Sequence, residues 1–406
     1  MMMKYIIRGK KIVTVSKVGT IMDGAMAVAD EKIKAVGPWA ELRKLFSDFE
    51  VMDCSQYVIT PALVDCHTHL LEFAPTSLFP VTPETHFIAG RAILFHALSC
   101  GITALGEQIC GHPLCDFSIG DYRKIAQELP MDLSFATTSI SVGFEKLAHF
   151  SAVTKSRSIE QKELTNPLIV RNIAEASDYP GENVFINATP ANFTADEVPR
   201  AGEVVYTLEE LKSIVLVYHQ LGKRIGCHVA GEEAIDMALD AGFDVLHHAH
   251  GITNEQIERA ARSGVHIVAT PMGGTHLRPN SPEEIVKFLE KNIPVSISTD
   301  AYLPPYQDVP WLPFQDQSLR GPAELMLISQ PAMLAFKNQG YDENKILALL
   351  TDYPAAILGK ADRFGRLEPG LEANFLVAEG VPGLEVIEAE KIKMVFYRGL
   401  KVIERQ

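Results

Sequence analysis

The sequence predicts an α/β protein: a (β/α)8 barrel of the TIM type, with a small discontinuous β-sandwich domain formed by both chain ends. Three observations predict it. At 406 residues the chain suits two or three domains, or one large barrel with an appendage. From Val58 to Gly359 short apolar runs alternate with amphipathic helical stretches, the pattern of parallel βαβ units. The two ends instead carry short strands broken by Gly, Asp and Lys.

At the N-terminal end Tyr5–Arg8, Lys11–Val15, Ala25–Ala29 and Lys32–Gly37 read as strands, which assigns residues 1–60 to the β-domain. The strand–helix pairs then follow in order: Tyr57–Val64 with Pro83–Ser99, Asn183–Asn187 with Leu208–Leu221, and Arg224–Val229 with Glu232–Ala241. Val245–Leu246 precedes Asn254–Ser263, Val265–Ala269 precedes Pro282–Lys291, and Val295–Ser298 precedes later helices. Residues 61–358 therefore form the barrel. An open doubly wound sheet is the alternative, but no Gly-rich phosphate turn follows the first strand. Phe364–Leu367, Asn374–Ala378, Lys393–Arg398 and Lys401–Glu404 return the chain, residues 359–406, to the β-domain. Ser151–Pro180 is polar and reads as a long loop with a helix. Ala301–Gln317 sets Pro304, Pro305, Pro310 and Pro313 among Tyr302, Tyr306, Trp311 and Phe314. It reads equally as an ordered loop over the barrel mouth or as a packed surface excursion.

Composition narrows the function. Hydrophobic residues are 47% and charged residues 22%, which is globular and not disordered. A chain of this size buries roughly three quarters of its unfolded surface, so a metal here is expected to serve chemistry rather than folding. The net charge of −14 argues against nucleic acid or an anionic membrane as partner. No run approaches a membrane span of about 18 apolar residues. The opening MMMKYIIRGKKIVTV is too short in its apolar part for a signal-peptide core, and the six scattered cysteines suit reduced thiols. A cytoplasmic protein is expected, with self-assembly left open. Cys110 to Cys115 with His112 could mimic a metal cluster, but the spacing is not that of a zinc knuckle.

The chemistry gathers at strand ends. Val64-Asp-Cys-His67-Thr-His69 closes a β-branched run, and residues two apart share a strand face, so His67 and His69 point together. At the C-terminal end of a barrel strand they face the mouth. His228 ends Arg224–His228 and Asp300 ends Val295–Asp300. A buried carboxylate without a partner costs several kcal/mol, so three imidazoles and Asp300 make a plausible ligand set for a zinc-like ion. In Leu246-His-His248-Ala-His250, His248 is placed to touch the water or the substrate, while His247 and His250 suit hydrogen bonding behind the site or helix capping.

In these motifs the chain resembles the amidohydrolase superfamily of metal-dependent hydrolases, in its imidazolonepropionase and prolidase-like branch. Pro61 to His69 resembles the family's opening strand, with Ala62 where Gly is usual. Gly101-Ile-Thr103 resembles its second-strand entry, Cys227 to His248 its fifth and sixth strands, and Ile297-Ser-Thr-Asp300-Ala its eighth. Leu350 to Val377 resembles its return into the small β-domain. The resemblance implies that His67, His69 and His228 are metal ligands, and that Asp300 is a ligand or the base beside them. It implies that His248 either binds a second ion or polarises the substrate carbonyl.

Asn187 stands where prolidase-like members carry a bridging lysine. That favours one divalent ion, zinc before iron or manganese, with Glu107 as a remaining candidate bridge. After His228 come Val-Ala-Gly rather than the x-x-Glu of related deaminases; Glu232 and Glu233 suit a helix start, where carboxylates are favoured. The expected reaction is hydrolysis of a C–N bond in a small cyclic amide, amidine or imine by a metal-activated water. Asp300 moves the proton and His248 faces the developing oxyanion. A binuclear dipeptidase and a non-catalytic scaffold are the alternatives. His276 and Arg278 are expected near the mouth, either pairing an acidic substrate group or lying in a solvated loop.

Overall fold

The computed structural model describes residues 4–71, 82–109, 117–138, 148–149, 158–159, 161–188 and 192–406. The strands follow in order as β1 (Lys4–Val13), β2 (Thr20–Ala29), β3 (Lys32–Pro38), β4 (Glu50–Pro61), β5 (Leu63–Thr68), β6 (Ile102–Ile109) and β7 (Asp132–Thr137). A two-residue pair, β8 (Ala148–His149) and β9 (Ser158–Ile159), precedes β10 (Val184–Phe185), β11 (Gly226–Ala230), β12 (Val245–His250), β13 (His266–Ala269) and β14 (Val295–Ile297). The chain ends with β15 (Phe375–Ala378), β16 (Ile392–Tyr397) and β17 (Leu400–Glu404).

Eight parallel strands form a barrel-type arrangement in two arcs, β5-β6-β7 and β10-β11-β12-β13-β14. Among the described residues the ladder is not continuous between the arcs. One seam is stitched by Asp300 N–H to the His67 carbonyl (3.1 Å) and His69 N–H to the Ala301 carbonyl (2.7 Å). At the other, Asn183 Nδ2 donates to the Thr137 carbonyl (3.1 Å). Every residue of β5, β6, β11, β12, β13 and β14 is buried, as expected of parallel strands covered by helices. The helices start where the sequence offers caps: Thr207 with Glu210, Thr253 with Gln256 and Ser281 with Glu284 each form a capping box.

The two chain ends meet in one seven-stranded mixed sheet, β17-β16-β15-β4-β1-β2-β3. The two stacked layers expected of a sandwich are not what its hydrogen bonds draw. β15 inserts beside β4, with Phe375 opposite Pro61, and Tyr5 Oη donates to the Gly399 carbonyl (2.8 Å) across the ends. β1 also runs unbroken through Gly9–Lys11, where the sequence suggested two strands; a bulge absorbs the irregularity. Within the polar segment 151–180 the described residues include the helix Pro167–Ala176. Cys54, Cys66, Cys100 and Cys227 are buried free thiols, while Cys110, His112 and Cys115 lie outside the described residues. No helix among the described residues is long and apolar enough to cross a membrane.

His266 opens β13, buried beside Ser296 Oγ (3.1 Å) and edge-on to Tyr353. Burial pushes its imidazole down to about 3 from 6.5. The unfolded chain therefore binds the proton first, so this stabilisation is complete above about pH 6.5 and is lost as pH falls toward 3. Urea unfolding at pH 7 and pH 5.5 is expected to cost the wild type up to about 1.4 kcal/mol per pH unit more than His266→Gln. Equal losses in both proteins would contradict it.

Candidate metal centre

The site is assembled at strand ends. β5 carries His67 and delivers the chain to His69, β11 presents His228, β12 presents His248, and Asp300 lies just past β14. Asp65, one turn of the pleat below His67, accepts Thr299 Oγ (2.6 Å) and so locks the end of β5 to the segment leading to Asp300. His248 (φ 69°) and Asp300 (φ 53°) both hold left-handed backbone, which His, Asp and Asn tolerate better than most residues. Such conformations concentrate at functional sites.

One residue that the sequence did not reveal lies at the centre of this set. Glu182, 1% exposed, precedes β10, and its two oxygens divide the histidines between them. Oε2 is 3.3 Å from His67 Nε2 and 3.3 Å from His69 Nε2. Oε1 is 2.6 Å from His228 Nδ1 and 2.7 Å from His248 Nε2. Asp300 Oδ1 faces His67 Nε2 (3.1 Å) and His69 Nε2 (3.5 Å) from the other side. Two glycines permit the approach. A Cβ on Gly226 would run into the Gly181 carbonyl, and one on Gly181 into the Gln108 side chain.

Burial opposes charge throughout, and the carboxylates decide where it remains. Desolvation alone would lower the His67 imidazole, but Glu182 and Asp300 outweigh it and hold the group above its ordinary value. Glu182 is opposed by burial in the same way, yet His67 and His228 hold it well below the usual carboxylate range. Burial pushes His228 down to about 4 and takes His250 well below 6.5. An ion entering here must displace the proton of His67.

The donor set fits a divalent transition metal. Among the described residues the Nε2 atoms of His67 and His228 are buried without a geometrically formed hydrogen bond. Among the described residues three triads have one ligand atom each within 4.8 Å of the others: His67–His248–Asp300, His67–His69–Glu182 and Glu182–His228–His248. Imidazole with carboxylate is the ligand chemistry of zinc, iron or manganese sites.

The structure thus brings His67, His69, His228, His248 and Asp300 together. Glu107 is not among them: its carboxylate accepts from Thr68 Oγ, Leu70 N–H (3.3 Å) and Leu71 N–H (2.9 Å), holding the turn after His69. Asn187 is buried, accepting Ala230 N–H (2.8 Å) and donating to the Gly202 carbonyl (3.0 Å). Glu232 and Glu233 are exposed in the first turn of the helix Glu232–Ala241. His250 bonds Thr275 Oγ (2.8 Å) behind the site. Arg278 is exposed and turned to the aromatic loop, donating to the Asp308 carbonyl (2.8 Å) over the Trp311 ring. His276 packs against Gly202. The loop itself packs Leu303, Val309 and Leu312 on Met272 and Ile328, and Asn192 ties Gly274 N–H (2.6 Å) to the Pro304 carbonyl (2.6 Å).

Gly274 (φ 114°) presses its backbone onto the site, and a Cβ there would fall inside contact distance of both Asp300 and His248. Gly274→Ala is expected to lower kcat by about 10²-fold, the cost of an ångström-scale misplacement. A melting curve alongside separates this from unfolding, and an unchanged kcat would contradict it.

A model of the Amidohydrolase family matches residues 58–402, and one of the bacterial imidazolonepropionase-like composite domain matches residues 24–46. The imidazolonepropionase of Yersinia enterocolitica (serotype O:8 / biotype 1B) is 49% identical over 399 residues, 91% of this chain and 90% of that one. The match to the imidazolonepropionase of Brucella anthropi is local, 42% identical over 71 residues, 16% of this chain and only 18% of that relative's length. A solved Xaa-Pro dipeptidase with methionine in its active site shares the fold, with a TM-score of 0.71 at 15% identity, covering 99% of this chain and 100% of that one. With these matches added to the strand-end cluster, the chain belongs to the amidohydrolase family.

Proposed function

We propose that this protein is a metal-dependent hydrolase that opens the carbon–nitrogen bond of a small cyclic amide, the imidazolone ring of its relatives' name being the first candidate. The observation that carries the reading is the buried meeting of Glu182 and Asp300 with four imidazoles at the strand ends. We read the two arcs as one barrel, residues 61–358, with residues 1–60 and 359–406 forming the accompanying β-domain. His67, His69, His228 and Asp300 would hold the ion, zinc by preference. When bound, such an ion acidifies water and polarises a carbonyl.

The chain's own residues do the rest. Asp300 accepts the proton of the attacking water as its oxygen bonds the carbonyl carbon, then returns that proton to the ring nitrogen as the C–N electron pair leaves with it. Asp300 is 6% exposed, so the transfer is screened from bulk water.

His248 supports a second reading, with two ions. Thr270 Oγ donates its only hydrogen to the Gly273 carbonyl (2.6 Å), so it accepts from His248 Nδ1–H (2.7 Å). The other ring nitrogen, Nε2, lies 2.7 Å from Glu182 Oε1, the position of a ligand shared with that carboxylate rather than of an oxyanion donor. The expectation of one ion rested on the missing lysine at Asn187; the divided oxygens of Glu182 supply another candidate bridge. Metal content per chain by mass spectrometry separates the two: one ion leaves His248 to face the developing oxyanion, and two make it a ligand.

A panel of imidazolones, lactams, imides, aminopyrimidines and dipeptides, assayed with metal-replete protein, tests the function. Ring opening of cyclic amides without dipeptide cleavage is the expected result. Dipeptide cleavage alone would replace the reading with the dipeptidase.

A further inference from the structure

We propose that His247 is a positioning residue that aims His67 at the metal, its own ring being set by the Pro180 carbonyl. His247 is fully buried on β12, paired in register with His228. Its Nδ1 lies 2.8 Å from His67 Nδ1, and its Nε2 lies 3.1 Å from the Pro180 carbonyl oxygen. The two imidazoles meet edge-on with centroids 4.8 Å apart.

These contacts leave one arrangement of hydrogens. A carbonyl oxygen only accepts, so His247 Nε2 carries the hydrogen of the neutral ring. His247 Nδ1 is then bare and can only accept, so His67 must donate from Nδ1–H. Nε2 is the His67 nitrogen left to face Glu182 (3.3 Å) and Asp300 (3.1 Å). Metal-bound histidines commonly donate their other nitrogen to a carboxylate, carbonyl or water. Here an imidazole stands in that place and a backbone carbonyl orients it.

The backbone is shaped for this relay. A Cβ on Gly226 would fall 2.7 Å from the Pro180 oxygen and 3.0 Å from His247 Nε2, so the bare α-carbon of glycine keeps that contact open. Pro180 also lies two residues before Glu182, so one short segment sets the hydrogen on His67 and supplies the carboxylate facing it.

The inference rests on the metal-centre reading but on no substrate. Its test therefore uses zinc and nitrogen-15 histidine spectra rather than turnover. Zinc-loaded wild type is expected to show His67, recognised as the signal lost in His67→Asn, with its hydrogen on Nδ1 and zinc on Nε2. Chelator competition is expected to show zinc bound about 10–100-fold more weakly by His247→Phe, the usual cost of losing such a partner. His247→Gln, whose amide both accepts and donates, should recover most of that loss.

Zinc on His67 Nδ1 would overturn the proposal, as would wild-type zinc affinity in a folded His247→Phe. The wild-type spectrum decides the matter if the Phe variant does not fold. A wild type that binds no zinc would instead remove the metal-centre reading, and this inference with it.

Discussion

Glu182→Gln is expected to strip the protein of most of its metal affinity and nearly all of its turnover. The carboxylate faces His67 and His69 with one oxygen and His228 and His248 with the other. An amide keeps the size, loses the charge, and offers one oxygen where two are used. Losing a hydrogen-bond partner behind a metal ligand costs roughly 10–100-fold, and losing a group within the cluster should cost more. The change also removes one of the two carboxylates that hold the His67 proton, so the metal-free variant should release that proton at lower pH. Chelator competition and kcat/KM, with a melting curve to show folding, check the expectation. A folded variant with wild-type zinc affinity would remove Glu182 from the centre.

Asp300→Asn is expected to separate chemistry from metal binding. The left-handed backbone at this position (φ 53°) is one that Asn also adopts, so the fold should survive. His67, His69 and His228 remain to hold an ion. A neutral amide cannot take up and return a proton, so kcat should fall by roughly 10²–10⁴-fold, the usual contribution of a positioned base. Metal analysis showing bound zinc beside this loss is the predicted pattern, and full turnover would end the assignment of Asp300 as the base.

The strand-end histidines and Asp300 were legible because each closes a buried apolar run, where a polar group is conspicuous. Glu182 was not. It follows Tyr179-Pro-Gly, which reads as a turn, and the strand after it is paired over only Val184 and Phe185. Its signal was the glycine beside it, since Gly181 and Gly226 must both lack side chains for that segment to close on the barrel.

Hydrophobic alternation likewise marked strands at both chain ends but held no register, and it merged the end of β4, Glu50–Pro61 of the end sheet, with β5, which opens the barrel only at Leu63. That β15 slots between β16 and β4 depends on pairings more than 300 residues apart, as between Phe375 and Pro61. Arg278 shows the remaining limit: its direction is set by Trp311 and Asp308, which approach only once the aromatic loop has packed on Met272 and Ile328.

The most direct test is the metal dependence of cyclic-amide hydrolysis, measured on one preparation as isolated, stripped by chelator and reloaded with zinc. Ring opening that disappears on stripping and returns on reloading is the predicted result. Undiminished ring opening by fully stripped protein would contradict the account at its centre.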